Sequence, residues 1–170
     1  MSGAGLAAVT VGTPLGDLTV IRSDEGVVAT AFDDEEPVDL FDEVEARLGT
    51  RIGSRGPGLA ALAREIEDYF EGRRADVRTQ PDLALVPDGF RRRVLAVTAT
   101  IGPGELRTYG DVAAAAGSPR GGRAAGNALR GCPIELFVPC HRVVHAGGSI
   151  GGYGRYEDRK RWLLRHEGAI

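Results

Sequence analysis

Apolar positions in the first part of the chain come in short runs separated by turn residues. Leu6–Val11, Leu18–Ile21 and Val27–Phe32 are divided by Thr13-Pro14-Leu15-Gly16-Asp17 and by Asp24-Glu25-Gly26, which predicts a β-meander over residues 6–32. The acidic run Asp33–Glu36 reads as a solvated loop. The period then becomes helical. Val38, Phe41, Val44 and Leu48 predict a helix that Gly49 can end, and Leu59–Phe70 predicts a second one stopped near Gly72. Gly53–Gly58 reads as a flexible loop, Val77–Leu85 as extended chain, and Pro87-Asp88-Gly89 as a domain boundary.

Beyond that boundary, Phe90–Ala99 has helical spacing through Phe90, Val94, Leu95 and Val97, and Ile101–Gly104 reads as a turn. Thr108-Tyr109-Gly110-Asp111 leads into a small-residue helix over Val112–Ala116. Gly117-Ser118-Pro119 breaks it, and a further helix runs from Arg120 to Arg130. Two helices joined by a short Gly-containing turn form a helix-turn-helix pattern. On the second of them Arg120, Arg123, Asn127 and Arg130 fall on one polar stripe, leaving Ala125, Ala128 and Leu129 for the core. Gly121, Gly122, Ala124 and Gly126 let a backbone approach another surface closely, although the glycines weaken the helix.

Val138–Val144 surrounds Cys140-His141 with apolar residues, as in a buried strand. Gly147–Gly154 is glycine-rich but lacks the Gly-Lys-Ser/Thr of a phosphate-cradling loop. Its backbone N–H groups could instead approach a flat ligand. Glu157–Glu167 reads as a closing helix with Trp162 and Leu163 in the core. Glu167 stands at its end, where an acid opposes the helix dipole, and this predicts a partner such as a histidine.

Charge sharpens this picture. Residues 1–88 hold 8 Arg against 18 Asp and Glu, a net −10, whereas residues 89–170 hold 13 Arg and Lys against 6 acids, a net +7. A basic module suits a polyanion. Mutual attraction of two oppositely charged halves is the alternative, and the arginine stripe favours nucleic acid. A length of 170 residues allows one large domain or two small ones. There is no apolar run of membrane-spanning length and no basic-then-apolar leader, and two cysteines do not make a disulfide framework. A reduced cytoplasmic setting is the expectation.

The candidate chemistry lies in Val138-Pro139-Cys140-His141-Arg142-Val143-Val144. A cysteine becomes a strong nucleophile as thiolate, which nearby positive charge or a base favours. Neighbours on a strand point to opposite sides, so His141 must act after a turn or through a water. A cysteine peptidase draws its histidine from a distant part of the chain, which argues against that reading. A hydrolase would also need a distant His or Asp/Asn, and His145 and His166 read as loop and helix-end residues. The first half contains neither Cys nor His, so no structural zinc site of that type can form there.

Pro139-Cys140-His141-Arg142-Val143, with Trp162-Leu163-Leu164-Arg165-His166-Glu167-Gly168, resembles the O6-alkylguanine-DNA alkyltransferases. The resemblance spans about Phe90 to Gly168 and extends more faintly to the Pro14-Leu15-Gly16 and Asp24-Glu25-Gly26 turns. It implies a two-domain α+β protein: an RNase H-like α/β scaffold over residues 1–86, and a mainly helical, winged-helix-like domain with a helix-turn-helix over residues 89–170. It implies direct, single-turnover repair of double-stranded DNA carrying O6-alkylguanine, with O4-methylthymine left open. The base would be flipped through the minor groove. The protein would be a monomer working without metal or cofactor.

Residue by residue, the resemblance makes Cys140 the alkyl acceptor, His141 its base through a bridging water, and Glu167 the group that orients the imidazole. Arg123 would fill the stack vacated by the flipped base. Tyr109 would help rotate the nucleotide and donate to guanine N3. Asn127, Arg120 and Arg130 would lie along the DNA. Tyr153 would form a pocket wall, the backbones of Cys140 and Val143 would accept from the exocyclic amine, and a Gly154 N–H would face O6. Three residues depart from the family's pattern. Cys132 replaces an Asn that braces a turn, Asn127 stands where a small residue is common, and Arg155 narrows the pocket rim against bulky alkyl groups. Cys132 reads as structural rather than as a redox partner of Cys140. A binding protein that flags lesions without transferring the group is the second hypothesis, which retention of Cys140 disfavours.

Overall fold

The computed structural model describes residues 5–34, 39–151 and 156–170, which fall into two compact units. One comprises residues 1–85 with Pro133–Phe137, and the other Val86–Cys132 with Val138–Ile170. Among the described residues no helix is long and apolar enough to cross a membrane.

In the first unit, β1 (Leu6–Thr13), β2 (Gly16–Arg22) and β3 (Val27–Phe32) form the antiparallel meander, and β4 (Ile52–Gly53) adds a parallel edge beside β1, giving the order β3-β2-β1-β4. The strand at Ile52–Gly53 takes in the first residue of the stretch, Gly53–Gly58, that the glycines predict as a loop. Two residues are too few to carry a periodic signal, and pairing with Leu6 and Ala7 decides the matter. Asp33 and Asp34 form a turn, while the rest of that acidic run and Val38 lie outside the described residues.

Helix α1 (Leu40–Leu48) ends at Gly49 in the left-handed conformation, and α2 (Leu59–Phe70) buries Leu62, Ile66 and Tyr69. Val44 joins Leu6, Ile21, Val28 and Ala29 in one core cluster, while α2 packs against β1. Gly26 marks a close approach: a Cβ there would run into the Gln80 carbonyl that accepts from Val27 N–H at 2.9 Å. The expected extended stretch after Val77 pairs only through Pro81 and then tightens into a 3-10 turn at Leu83–Leu85. Thr30 ties in the distant segment, with its N–H donating to Pro133 O at 2.8 Å and its hydroxyl to Glu135 O at 3.2 Å.

The second unit holds α3 (Phe90–Thr98), α4 (Tyr109–Ala115), α5 (Gly122–Leu129) and α6 (Glu157–His166), plus a two-residue parallel pair of β5 (Arg107–Thr108) and β6 (Val143–Val144). Helix α4 starts three residues before the small-residue run. Thr108 Oγ1 accepts from Asp111 N–H at 3.0 Å while Asp111 Oδ2 accepts from Thr108 N–H at 3.1 Å, a complete capping box. Helix α5 is shorter than the expected Arg120–Arg130, because Gly121 turns back to Ser118 O and Arg130 is already extended. The four-residue stripe thus reduces to Arg123 and Asn127 on the helix, with Arg120 and Arg130 flanking it, and all four are exposed. Ala125, Ala128 and Leu129 face the core as the pattern predicts.

Because the capping box makes Tyr109 the first residue of α4, removing it should loosen that end. Thr108→Ala is expected to lower unfolding stability by about 1 kcal/mol, with Thr108→Ser near the original. Urea denaturation of the three proteins checks this.

Candidate active site

The Cys140-His141 pair does not sit on a strand. Residues Cys140–Arg142 form a 3-10 turn, in which Arg142 N–H donates to Pro139 O at 2.9 Å, and β6 begins only at Val143. Pro139, limited in its own φ, leads the chain into that turn. The turn removes the strict alternation of a strand, so Cys140 and His141 both lie in the interior, at 4 % and 0 % exposure.

His141 Nε2 lies 2.8 Å from Glu167 Oε1, beyond the last turn of α6. A carboxylate can only accept here, so Nε2 carries the proton and Nδ1 presents its lone pair. Nδ1 is buried with no hydrogen-bond partner among the described residues. Burial holds the imidazole below its ordinary pKa, outweighing the opposite pull of Glu167, and Arg142 and Lys160 push the same way as burial. The ring is therefore a neutral base at physiological pH.

Arg142 grips the same carboxylate as a fork, with Nε to Oε2 at 2.9 Å and Nη2 to Oε1 at 2.8 Å, while Nη1 donates to Ile101 O at 2.6 Å. Burial would raise the Glu167 pKa, but hydrogen bonds from His141 and Arg142 overcome it and bring it to about 2. Arginine in this run is thus a bracket for Glu167. Its place two residues after the cysteine is the sequence signal that could have revealed it.

Lys160, on α6, is fully buried and sequence reasoning passed over it. Its Nζ donates to Val143 O at 2.6 Å and stands 3.5 Å from the Tyr109 hydroxyl. Burial lowers its pKa to about 8, and the Cys140 and Glu157 charges partly restore it. A lysine kept out of water in a basic domain is the signal, but only the fold shows that it is buried. Tyr109 is half-buried, and burial first, then the Cys140 charge, raises its pKa, so it remains a phenol that can donate. Its ring also meets His145 at 5.1 Å between centroids. Val143 is buried and its carbonyl keeps one lone pair beside the bond from Lys160.

The structure thus brings Cys140, His141, Glu167, Tyr109 and Val143 into one unit, joined by Arg142 and Lys160. Arg120, Arg123, Asn127 and Arg130 line the exposed side and ends of α5. Gly126 on α5 leaves ordinary contact room for the Tyr109 ring, which a Cβ there would meet at 3.7 Å. Tyr153, Gly154 and Arg155, and with them the end of the glycine-rich loop, lie outside the described residues. Both cysteines are free, with Cys132 half-buried.

Comparison with known proteins gives the same family across both units. Residues 89–169 match the profile of the 6-O-methylguanine DNA methyltransferase DNA binding domain, and residues 9–83 that of its ribonuclease-like domain. A methylated-DNA–protein-cysteine methyltransferase of Shigella flexneri is 38 % identical over 165 residues, 94 % of each chain. The crystal structure of Mycobacterium tuberculosis O6-methylguanine methyltransferase superposes with a TM-score of 0.73 at 32 % identity, covering 95 % of this chain and 92 % of that one. The M. tuberculosis OGT structure in complex with DNA gives 0.74 at 29 % identity, with 96 % and 92 % covered. With both of its domains matched and a relative this similar over nearly its whole length, the chain belongs to the 6-O-methylguanine DNA methyltransferase family.

Proposed function

We propose that this protein repairs O6-alkylguanine in double-stranded DNA by moving the alkyl group onto Cys140, once per molecule. The observation that carries the assignment of roles is the buried sequence of contacts from Glu167 to His141 Nε2, which leaves Nδ1 as a free base one residue from the thiol. His141 takes the Cys140 proton through a bridging water. The Lys160 ammonium, close enough for its charge to be coupled to that of Cys140, favours the thiolate. Sulfur then forms a bond to the alkyl carbon as the carbon–O6 bond breaks. Tyr109 donates its proton to N3 of the departing guanine, so no charge is stranded on the base.

On the DNA side, Arg123 enters the stack in place of the flipped nucleotide, while Asn127, Arg120 and Arg130 lie along the groove and its phosphates. The exposure of all four supports that assignment. Small residues on α5 suit a backbone that must come close to a minor groove. Tyr153, Gly154 and Arg155 form the pocket wall and rim in this reading. The scaffold and catalytic domains are residues 1–86 and 89–170. The protein acts as a monomer in the cytoplasm, a setting that suits two free cysteines.

Incubation with a duplex containing one O6-methylguanine should add one methyl group to the Cys140 peptide, seen by mass spectrometry, and Cys140→Ser should gain none. Tight binding with an unmodified Cys140 would instead favour a lesion sensor. Glu167→Gln is expected to slow single-turnover transfer roughly a hundredfold, because a carboxamide can donate to Nε2 and select the other tautomer. DNA affinity should change little, which a binding titration checks. Since His141 is held below the ordinary imidazole value of 6.5, its neutral form survives as pH falls through that value. The acid limb of the pH–rate profile should therefore lie below 6.5, and a limb at or above it would contradict the role given to His141.

A further inference from the structure

Helix α5 has little to hold it in place on its own account. It is eight residues long, begins at Gly121 with no side-chain cap, and contains Gly122 and Gly126. Short helices with interior glycine are marginal unless packing and end groups support them. Its C-terminal carbonyls are nevertheless taken up. Gly126 O accepts from Arg130 N–H at 3.1 Å and Leu129 O from Cys132 N–H at 3.2 Å. Ala128 O, and Gly131 O just past the C-cap, are met by a single side chain from another helix. Arg91, near the start of α3, donates from Nε to Ala128 O at 3.1 Å and from Nη2 to Gly131 O at 3.0 Å.

Two residues on, Arg93 repeats the device on the other helix of the pair. Its Nε donates to Ala116 O, the C-cap of α4, at 3.0 Å, and its guanidinium lies 5.8 Å from the Phe90 ring. Two cations from the first turn of α3 thus sit at the negative ends of both helices of the helix-turn-helix, where the dipole favours positive charge. A run of three arginines in a basic domain would ordinarily be read as a phosphate-binding patch. Here the fork of Arg91 is directed at backbone carbonyls, and Arg92 donates to Val86 O at 2.6 Å.

We propose that Arg91 is a positioning residue for DNA engagement: by bridging the Ala128 and Gly131 carbonyls it sets the orientation of α5, and with it Arg123 and Asn127, without touching the DNA. Arg93 does the same for α4. The proposal rests on the reading of α5 as the DNA-contacting helix, and it adds residues that act on that helix from behind.

Arg91→Ala and Arg91→Lys separate this role from its rivals. Affinity for a duplex bearing O6-methylguanine is measured across a range of salt, and transfer from the free O6-methylguanine base, which needs no helix-turn-helix, is followed by mass. Arg91→Ala should bind the duplex roughly tenfold more weakly, as loss of a charged hydrogen bond implies. Its salt slope and its free-base rate should be unchanged. Arg91→Lys should fall between, because a single ammonium cannot span both carbonyls. A slope smaller by about 0.9 would mean a phosphate contact and overturn the proposal. So would unchanged affinity, or a free-base rate that falls by the same factor as the DNA rate. If the original protein transfers no methyl group at all, the functional reading fails, while the binding measurements still decide the part played by Arg91.

Discussion

The site depends on one buried carboxylate. Glu167 accepts from His141 and from the Arg142 fork, with its own side chain wholly shielded from solvent. An isolated charge at such depth would be very costly, and a single partner would leave acceptor positions unmet. Here the guanidinium balances the charge and the imidazole takes a remaining lone pair. The result is a carboxylate that stays ionised and a histidine that stays neutral in one tautomer. Arg142 is in turn anchored by Ile101 O, at the turn that follows α3. The chemistry is therefore built on a network whose members cannot be altered singly.

Around that network the second unit arranges its cations in two populations. Arg142 and Lys160 are buried and directed at carboxylate or carbonyl oxygens, Arg91 and Arg93 meet carbonyls at the ends of α5 and α4, and Arg92 meets that of Val86. Arg120, Arg123 and Arg130 stay exposed around α5. The net +7 of this half is thus a mixture of charge engaged with the protein's own oxygens, some of it at the surface as in Arg91 and Arg93, and of charge left for a polyanion. A count of basic residues alone overstates the second population.

Tyr109 connects the two. The capping box places it at the first position of α4, its ring lies near Gly126 of α5, and its hydroxyl is near Lys160. It also meets the exposed His145. One residue is thus in reach of α5 through Gly126 and of the buried cluster through Lys160, and the Cys140 charge acts on its phenol. Among the described residues the first unit carries no comparable cluster. Its meander and two helices close on an apolar core, and they also hold Pro133–Phe137, the segment that ends two residues before Pro139.

Much of this was legible in the chain because it is local. The three strands, α2 and the helix-turn-helix follow from apolar spacing and from turn residues, whose effects extend over a few positions. The Thr108–Asp111 box was equally local and could have set the start of α4. The cysteine motif and the closing helix identified the family, and Glu167 at the wrong end of the dipole pointed to a histidine. Other features depended on residues far apart in sequence. Val138–Val144 carries the apolar pattern of a strand, yet Cys140–Arg142 turns, because the bonds to Glu167 and Ile101 reward the bend and no pattern within seven residues encodes them. Burial of Lys160 and the carbonyl partners of Arg91 are likewise set by packing between helices. Sequence determined which groups were present and which short segments could form. Tertiary structure decided which charges face water and which face one another, because those energies depend on distance and burial, which the order of residues does not specify.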